Sequence, residues 1–236
     1  MVKRKGEVMI LFRKAILIIH GFAGGTYDQE ELANFLEKNS KFDVYTFTLP
    51  GHEKRSFRTV KYEEWIDAAE KQLKKLISYG YKDIYLIGHS MGGVIATYLS
   101  TKYRCIKKLV LVAPSFKYFV SDDLTTIDKL KNSIDALKNH EADEVLTRFL
   151  KLPLTSLNEF IKLVDKYKEY YLKIKVPTMV LHGTSDTIVP IENSKELYES
   201  IPVLAKKIMY LDDISHDVFE EVDENVLEEI EWFLKN

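Results

Sequence analysis

Residues 83–103, DIYLIGHSMGGVIATYLSTKY, place a serine among glycines between a predicted strand and a predicted helix. The first part, DIYLIGHS, is a short and almost continuous apolar run, which is typical of a buried strand in a parallel sheet. The second part, MGGVIATYLSTKY, has the length and composition of a helix packed on that sheet. Gly88 and Gly92 flank Ser90 at two positions on either side. This spacing predicts a sharp strand-to-helix turn with the serine at its tip.

A phosphate-binding loop is one alternative for this stretch, and the residues that it needs are missing. A Walker loop requires Lys and then Ser or Thr after its last glycine, where this chain has Val94 and Ile95. A dinucleotide-binding turn requires G-x-G-x-x-G, and neither GHSMGG nor GFAGG has that spacing. Two interpretations remain, a tight turn without chemistry and a mount for a nucleophile.

The rest of the chain alternates short apolar runs with longer amphipathic segments, which predicts repeated βαβ units. Strands are predicted at 15–21, 83–90, 106–114, 177–183 and 206–212, and the segment 42–52 is predicted as a strand that ends in a loop. Helices are predicted at 28–39, 62–80, 91–103 and 191–201, and from about 217 to 235. Apolar strands covered by helices on both faces indicate an α/β fold with a doubly wound, mainly parallel sheet.

The alternation of strands and helices stops after the fourth predicted strand. From 115 to 173 the sequence is charged, with apolar residues at helical spacing such as Phe160 and Val164. We therefore expect a core made of residues 1–114 and 174–236, and a helical insertion at 115–173. Such an insertion often covers the strand ends where ligands bind, and the alternative is a peripheral helical decoration.

Composition and charge exclude several classes of protein. With 34 basic and 36 acidic residues the net charge is -2, which argues against nucleic acid as a partner because phosphate binding needs a basic surplus. The single cysteine, Cys105, excludes an intramolecular disulfide and a cysteine-rich metal site. Glu7, Arg13 and Lys14 interrupt the apolar start, and no stretch has membrane-spanning length. We expect a cytoplasmic protein without stable membrane insertion, and the sequence does not indicate its oligomeric state.

A serine hydroxyl needs a base, and a group that orients the base, before it attacks a carbonyl carbon. Of the six histidines, only His216 lies in the loop between the last strand and the last helix. Asp186 lies in HGTSDTIVP, the loop that leaves the strand before last, and is the candidate acid. Asp212, Asp213 and Asp217 are too close to His216 along the chain to be preferred. The order serine, acid, histidine is the one that this kind of sheet uses.

Two backbone N–H groups are candidates for stabilising an oxyanion near Ser90. Met91 follows the serine at the start of a helix, where the helix dipole also favours negative charge. Phe22 lies in HGFAGG, residues 20–25, directly after the first core strand. The glycines of that segment also fit an ordinary strand-to-helix turn.

Together these segments resemble the α/β-hydrolase superfamily, and especially its small bacterial carboxylesterases and monoacylglycerol-lipase-like members. The resemblance rests on LIIHGFAGG, LPGH, LIGHSMGG, VLHGTSDTIVP and SHDVF, and it covers about residues 15–220. It implies a nucleophile at Ser90, an acid at Asp186, a base at His216 and oxyanion donors at Phe22 and Met91. It also implies that the insertion at 115–173 is a cap over an acyl pocket.

Three features depart from the pattern of that superfamily. Ser215 precedes the base, where relatives often have glycine. The loop GHEKRSF, residues 51–57, differs from the more usual G-H-G-x-S. The segment before residue 15 is short, which implies that the first strands of the family are reduced to one piece near 7–13. None of these departures removes a predicted catalytic group.

The reaction implied by the resemblance is hydrolysis of a small-molecule ester with a short- to medium-chain acyl group. It runs through an acyl-enzyme and requires no metal or organic cofactor. Thioesterases, amidases and carbon–carbon bond hydrolases use the same triad and stay open, as does a non-catalytic ligand-binding protein on this scaffold. Epoxide hydrolases and haloalkane dehalogenases have aspartate in place of Ser90 and are not expected. Phe22, Phe116 and Phe119 are candidates to line the acyl pocket, and the alternative for the latter two is packing of the cap onto the sheet.

Overall fold

Six parallel strands form the centre of the molecule in the computed structural model, which describes residues 13–53, 58–117 and 153–236. The strands are β1 Ala15–Ile19, β2 Asp43–Thr46, β3 Ile84–His89, β4 Ile106–Val112, β5 Thr178–Gly183 and β6 Lys206–Leu211. Their order in the sheet is β2-β1-β3-β4-β5-β6, and every neighbouring pair is parallel. The predicted doubly wound, mainly parallel sheet is therefore confirmed.

Helices on both faces connect the strands. They are α1 Glu30–Asn39, α2 Tyr62–Ser78, α3 Met91–Lys102, α4 Leu154–Tyr167, α5 Ile191–Ser200, α6 Val218–Glu221 and α7 Glu224–Lys235. Two short 3-10 turns, Thr26–Gln29 and Lys168–Lys173, precede α1 and follow α4. No helix within these ranges has the length and the apolar character that crossing a membrane requires.

The continuous apolar strands are explained by a core on each side of the sheet. Successive side chains of a strand point to opposite faces, so Leu17 and Ile19 pack with α2, α3 and α4 on one face. Ile16 and Ile18 pack with α1, α6 and α7 on the other face. Each buried aliphatic side chain of this kind stabilises the fold by about 1.5–3 kcal/mol relative to an exposed one.

The order of the strands changes direction at β1, which lies between β2 and β3. The chain runs from β1 outward to β2, and then returns to the opposite side of β1 to form β3. Ile19 pairs with Gly88, so β1 and β3 end at nearly the same level. Ligands of open α/β sheets bind at such a switch point, in the crevice outside the carboxyl ends of the strands. The loops that carry Phe22 and Ser90 both start there.

Most predicted elements agree with the structure to within two residues at each end, and two segments contain a break in regular structure. The segment 42–52, predicted as a strand that ends in a loop, is paired over Asp43–Thr46. The chain then leaves the sheet, and the Leu49 N–H donates to His20 Nε2 at 2.9 Å. The helix predicted at 217–235 is divided into α6 and α7. Val222 between them is extended, and the Asp223 side chain caps α7 by accepting from the Val226 N–H at 3.3 Å. The strand expected near 7–13 lies mostly outside the described residues.

The described end of the insertion packs against the core. Phe160, Ile161 and Val164 are buried on α4, as their helical spacing predicted. The Phe160 ring stacks on the Phe22 ring with centroids 5.0 Å apart, so α4 covers the loop that follows β1. Residues 118–152 of the insertion lie outside the described residues, and the predicted domain boundaries stay predictions.

Candidate active site

Ser90 lies at the tip of the turn between β3 and α3 in a strained backbone conformation, with φ 52° and ψ −118°. A positive φ is unfavourable for a residue with a β-carbon and persists only where the surroundings enforce it. The Ser90 N–H donates to the Val112 carbonyl oxygen at 2.8 Å, which ties the turn to β4. A β-carbon at Gly88 would overlap the Gly92 carbonyl, and one at Gly92 would overlap the Ile19 carbonyl oxygen. The glycines therefore allow the close packing that holds Ser90 at the strand ends.

His216 and Asp186 meet at the carboxyl ends of β5 and β6. The His216 Nδ1–H donates to Asp186 Oδ2 at 2.7 Å, and both side chains are buried. The second carboxylate oxygen, Oδ1, accepts from the backbone N–H groups of Ile188 and Val189, each at 2.8 Å. Because Nδ1 carries the hydrogen in this pair, Nε2 of the neutral His216 is the nitrogen left to accept a proton.

The electrostatic surroundings of Asp186 favour its ionised form. Burial alone would raise the pKa of this carboxyl, but the His216 charge and hydrogen bonds from His182 and His216 outweigh burial and hold the pKa well below its usual value. Asp186 is thus an anion at neutral pH. An anion at this position orients the His216 ring and stabilises the imidazolium that forms when the ring takes a proton.

The other carboxylates near His216 in sequence take different positions. Asp212 and Asp213 are exposed, and the Asp213 N–H donates to Thr184 Oγ1 at 2.9 Å. Asp217 is buried and directly follows His216. Asp186 accepts a hydrogen bond from the His216 ring, in agreement with its preference as the candidate acid.

His182 is a buried partner of the acid to which the sequence assigns no role. Its Nε2 lies 3.2 Å from Asp186 Oδ2 and 2.9 Å from the Val189 carbonyl oxygen. Its Nδ1 lies 2.6 Å from Ser194 Oγ. A neutral ring with its hydrogen on Nε2 donates toward both oxygens and accepts from the serine hydroxyl. His182 therefore fixes one side of the carboxylate while His216 takes the other.

His89 links the serine turn to the loop of the base. Its Nε2–H donates to the His216 carbonyl oxygen at 2.9 Å, and the two imidazole rings lie 4.9 Å apart. His89 directly precedes Ser90, so this bond holds the His216 loop against the turn. The only signal for it in the sequence is its place inside the G-x-S-x-G segment.

The loop after β1 lies against Ser90. A β-carbon at Gly21 would be 3.1 Å from Ser90 Cβ, so the chain passes next to the serine just before Phe22. Met91 is the first residue of α3, and the first N–H groups of a helix have no acceptor within it. Met91 thus follows Ser90 directly and the chain passes next to Ser90 at Gly21, just before Phe22, while the roles of Phe22 and Met91 as oxyanion donors stay predictions.

His20, at the end of β1, fixes the position of the same loop. Its Nε2 accepts from the Leu49 N–H at 2.9 Å and its Nδ1–H donates to the Gly21 carbonyl oxygen at 2.8 Å. Complete burial is the main cause that lowers the pKa of His20 to about 3, and repulsion from the neighbouring His52 adds to it. A ring that stays neutral in this way serves as a fixed link between two loops.

The predicted pocket residues have different surroundings. The Phe22 ring is buried among aromatic rings, stacked on Phe160 and edge-on to Trp65 and His52. Phe116 is also buried and lies edge-on to Tyr171 at 5.5 Å, a contact with the turn that follows α4. Phe119 lies outside the described residues.

A second serine, Ser115, is close to the first and was not predicted. Its Oγ lies 2.9 Å from Ser90 Oγ. Ser115 follows β4, the strand next to β3, in the segment VAPS. That position after a neighbouring strand is the one signal in the sequence that points to it. Within the described ranges, no group of three or more His, Cys, Asp or Glu side chains is placed to hold a metal ion.

Comparisons with known proteins identify the family and the fold. A family model described as alpha/beta hydrolase fold matches residues 14–165, and one described as serine aminopeptidase, S33, matches residues 123–223. A Bacillus subtilis carboxylesterase is 21% identical over 211 residues, covering 86% of this chain and 84% of its own. The human monoacylglycerol lipase ABHD6 is 25% identical over 187 residues, covering 77% of this chain and 51% of its own. The crystal structure of the Paleococcus ferrophilus monoacylglycerol lipase superposes with a TM-score of 0.72 at 21% identity, covering 94% of both chains.

Proposed function

Because the chain belongs to the α/β-hydrolase family, we propose that it is a carboxylic ester hydrolase acting on short- to medium-chain acyl esters. The observation that carries the proposal is the buried hydrogen bond of 2.7 Å between His216 Nδ1 and Asp186 Oδ2, at the same strand ends as the strained Ser90. Relatives named carboxylesterase and monoacylglycerol lipase support an ester as the substrate.

The proposed mechanism assigns one step to each group. His216 Nε2 takes the Ser90 proton as Oγ attacks the ester carbonyl carbon, and Asp186 stabilises the imidazolium. The Phe22 and Met91 N–H groups hold the negative charge of the tetrahedral intermediate. His216 then protonates the departing alcohol, and water repeats the sequence on the acyl-enzyme. Loss of one oxyanion donor costs on the order of 3 kcal/mol of transition-state stabilisation.

We further propose that the insertion, residues 115–173, is a cap over the acyl group. Support comes from α4, which places Phe160 on the ring of Phe22. Because Phe22 also supplies the proposed oxyanion donor, the cap helix packs on the residue that positions the ester carbonyl. Phe116 contacts Tyr171 near the start of β5, so the two ends of the insertion pack against each other.

The first test compares the wild type with Ser90→Ala. We expect the wild type to hydrolyse aryl esters and to be labelled by a fluorophosphonate, and Ser90→Ala to lose both activities because the nucleophilic oxygen is gone. Ser100→Ala is the matched control, since the Ser100 hydroxyl is buried on α3 and donates to the Thr97 carbonyl oxygen. Full activity in folded Ser90→Ala protein would refute the mechanism. A wild type that neither turns over nor is labelled indicates a binding protein.

A panel of acyl esters, thioesters, amides and monoacylglycerols identifies the bond that is cleaved. We expect the highest kcat/KM for esters of short to medium acyl chains. Higher kcat/KM for thioesters or amides would replace the proposed substrate class while keeping the triad.

The second test concerns the acid. Asp186→Asn removes the anion that orients His216, and we expect kcat to fall by on the order of 10³- to 10⁴-fold. Asp213→Asn is the control, because Asp213 is exposed and its change leaves the His216 ring contact intact. The measurement is kcat for an aryl ester at saturation. If the two variants exchange their effects, Asp186 is not the acid.

A further inference from the structure

The carboxyl end of β4 brings a second serine hydroxyl against Ser90. Ser115 Oγ lies 2.9 Å from Ser90 Oγ, and the two residues are 3% and 2% exposed. In the part of the chain that the structure describes, this contact is the one side-chain hydrogen bond of either serine. A hydrogen bond from a buried hydroxyl to the nucleophilic oxygen changes in strength when the charge on that oxygen changes.

The backbone that holds Ser115 in this position is strained at Ala113. Ala113, directly after β4, has φ 42°, and its N–H donates to the Leu181 carbonyl oxygen at 2.8 Å. The chain turns there, and the Ser115 N–H donates to the Ser90 carbonyl oxygen at 3.3 Å. Strained residues of this kind collect at functional sites, and here the strain directs Ser115 onto the nucleophile.

We propose that Ser115 is a further catalytic residue, whose hydroxyl donates a hydrogen bond to Ser90 Oγ while that oxygen carries negative charge. The inference rests on the proposed serine hydrolase function. As Oγ attacks, its proton passes to His216 Nε2 and the bond from Oγ to the carbonyl carbon forms. Ser115 keeps its own proton throughout and only directs it at Oγ.

The same contact acts again when the acyl-enzyme is hydrolysed. In that step a water oxygen bonds to the carbonyl carbon and gives its proton to His216, the bond between the carbonyl carbon and Oγ breaks, and Oγ takes that proton from His216. Charge builds on Oγ in both transition states and is absent in the resting hydroxyl. Because a hydrogen bond to an ionised acceptor is stronger than one to a neutral oxygen, Ser115 stabilises the transition states more than the ground state.

A competing role for Ser115 predicts the opposite result. If Ser90 donates to Ser115, the contact holds the nucleophile away from His216, and removing it speeds the reaction. The decisive variant is Ser115→Ala, which removes the hydroxyl and leaves the backbone contacts. We expect kcat/KM for an aryl ester and the rate constant of fluorophosphonate inactivation to fall together by about 10- to 100-fold, because both include attack by Ser90.

Two further variants make the result unambiguous. Ser115→Cys keeps the size but has a weaker donor, so its loss should be intermediate, and it also serves if the alanine variant does not fold. Ser100→Ala, which removes a buried hydroxyl elsewhere, should keep wild-type rates. Unchanged or faster rates in both Ser115 variants, with Ser90→Ala inactive, would overturn the role of Ser115 alone. Activity in Ser90→Ala would instead overturn the proposed function.

Discussion

The Asp186 carboxylate is surrounded by donors on both oxygens. Two backbone N–H groups of the following loop bind Oδ1, while His216 and His182 bind Oδ2. With its side chain shielded from water, this carboxylate cannot rotate without breaking several charge-assisted bonds. Because the His216 ring donates to Oδ2 of this fixed carboxylate, the orientation of the ring is fixed as well.

We predict that His182 acts on the reaction through Asp186. His182→Asn puts an amide near the Nδ1 position, which keeps the Ser194 contact and loses the Asp186 contact. We expect kcat to fall by about 10-fold and the free energy of unfolding to fall by about 1–3 kcal/mol, because the carboxylate loses a buried donor. His182→Gln reaches toward the Nε2 position and should retain most of kcat. The measurements are kcat at saturating ester and urea unfolding.

Equal kcat values for the two His182 variants and the wild type would contradict this positioning role. A loss of stability with unchanged kcat would assign His182 to folding alone.

At the level of single residues, the sequence predicts the contacts that strand order determines and misses the contacts that depend on neighbouring loops. Asp186 and His216 come after β5 and β6, which are adjacent in the sheet, so their meeting can be expected from the order of elements. Ser115 lies outside every quoted motif and meets Ser90 between two loops. His182 lies on β5 inside VLHGTSDTIVP, where nothing in the sequence indicates its contact with Asp186. The roles of all these residues stay predictions until the variants are measured.

The turn between β3 and α3 is held in place because α3 starts in contact with the end of β1. Gly92 packs on the Ile19 and His20 carbonyl groups, where β1 ends and the loop toward Phe22 begins. The serine turn and the proposed oxyanion loop therefore share one contact. A change on the helix side is transmitted directly to the loop.

Gly92→Ala should damage both stability and labelling. Its added β-carbon overlaps the backbone carbonyl oxygen of Ile19, which cannot move as a side chain does, so β1 or α3 must shift. We expect the free energy of unfolding to fall by roughly 1–3 kcal/mol, and fluorophosphonate labelling of the folded protein to slow at least 10-fold. Thr101→Ala, on the same helix with a bond to the Tyr98 carbonyl oxygen, is the control. Wild-type labelling by folded Gly92→Ala would show that the contact is not needed.

Strands and helices of the core were predictable from hydrophobic pattern, whereas several of their ends were not. The pattern of apolar residues continues through Phe47 and Leu49, but β2 stops at Thr46 because a histidine ring takes the Leu49 N–H. Similarly, the helical pattern runs through Val222, and the break between α6 and α7 depends on the capping bond of Asp223. A single hydrogen bond of this kind ends an element without changing the pattern of apolar residues, so the sequence does not reveal it.

Across the whole molecule, buried histidines couple stability to pH. His20 is fully buried and joins the loops that follow β1 and β2. Burial, with the neighbouring His52, lowers its pKa from 6.5 to about 3, so the native ring stays neutral while the unfolded ring takes a proton below pH 6.5. Burial also lowers the pKa of His52. Both groups therefore contribute stability that is complete above their unfolded pKa and is lost as the pH falls toward the folded value.

The pH dependence of unfolding tests this coupling. Between pH 6.5 and 4.5 His20 alone should lower the free energy of unfolding by about 2 kcal/mol, with the slope approaching roughly 1.4 kcal/mol per pH unit at the acidic end. Asp186 adds almost nothing in this window, because its pKa is lowered in the folded protein and has the ordinary value of about 4 in the unfolded chain, so the carboxyl is largely ionised in both states. Urea unfolding across the window should give at least this slope for the wild type, to which His52 also contributes, and a slope smaller by about one proton for His20→Gln. A wild type with equal stability at both ends of the window would show that His20 is protonated in the folded protein, and that the link between the two loops is charged.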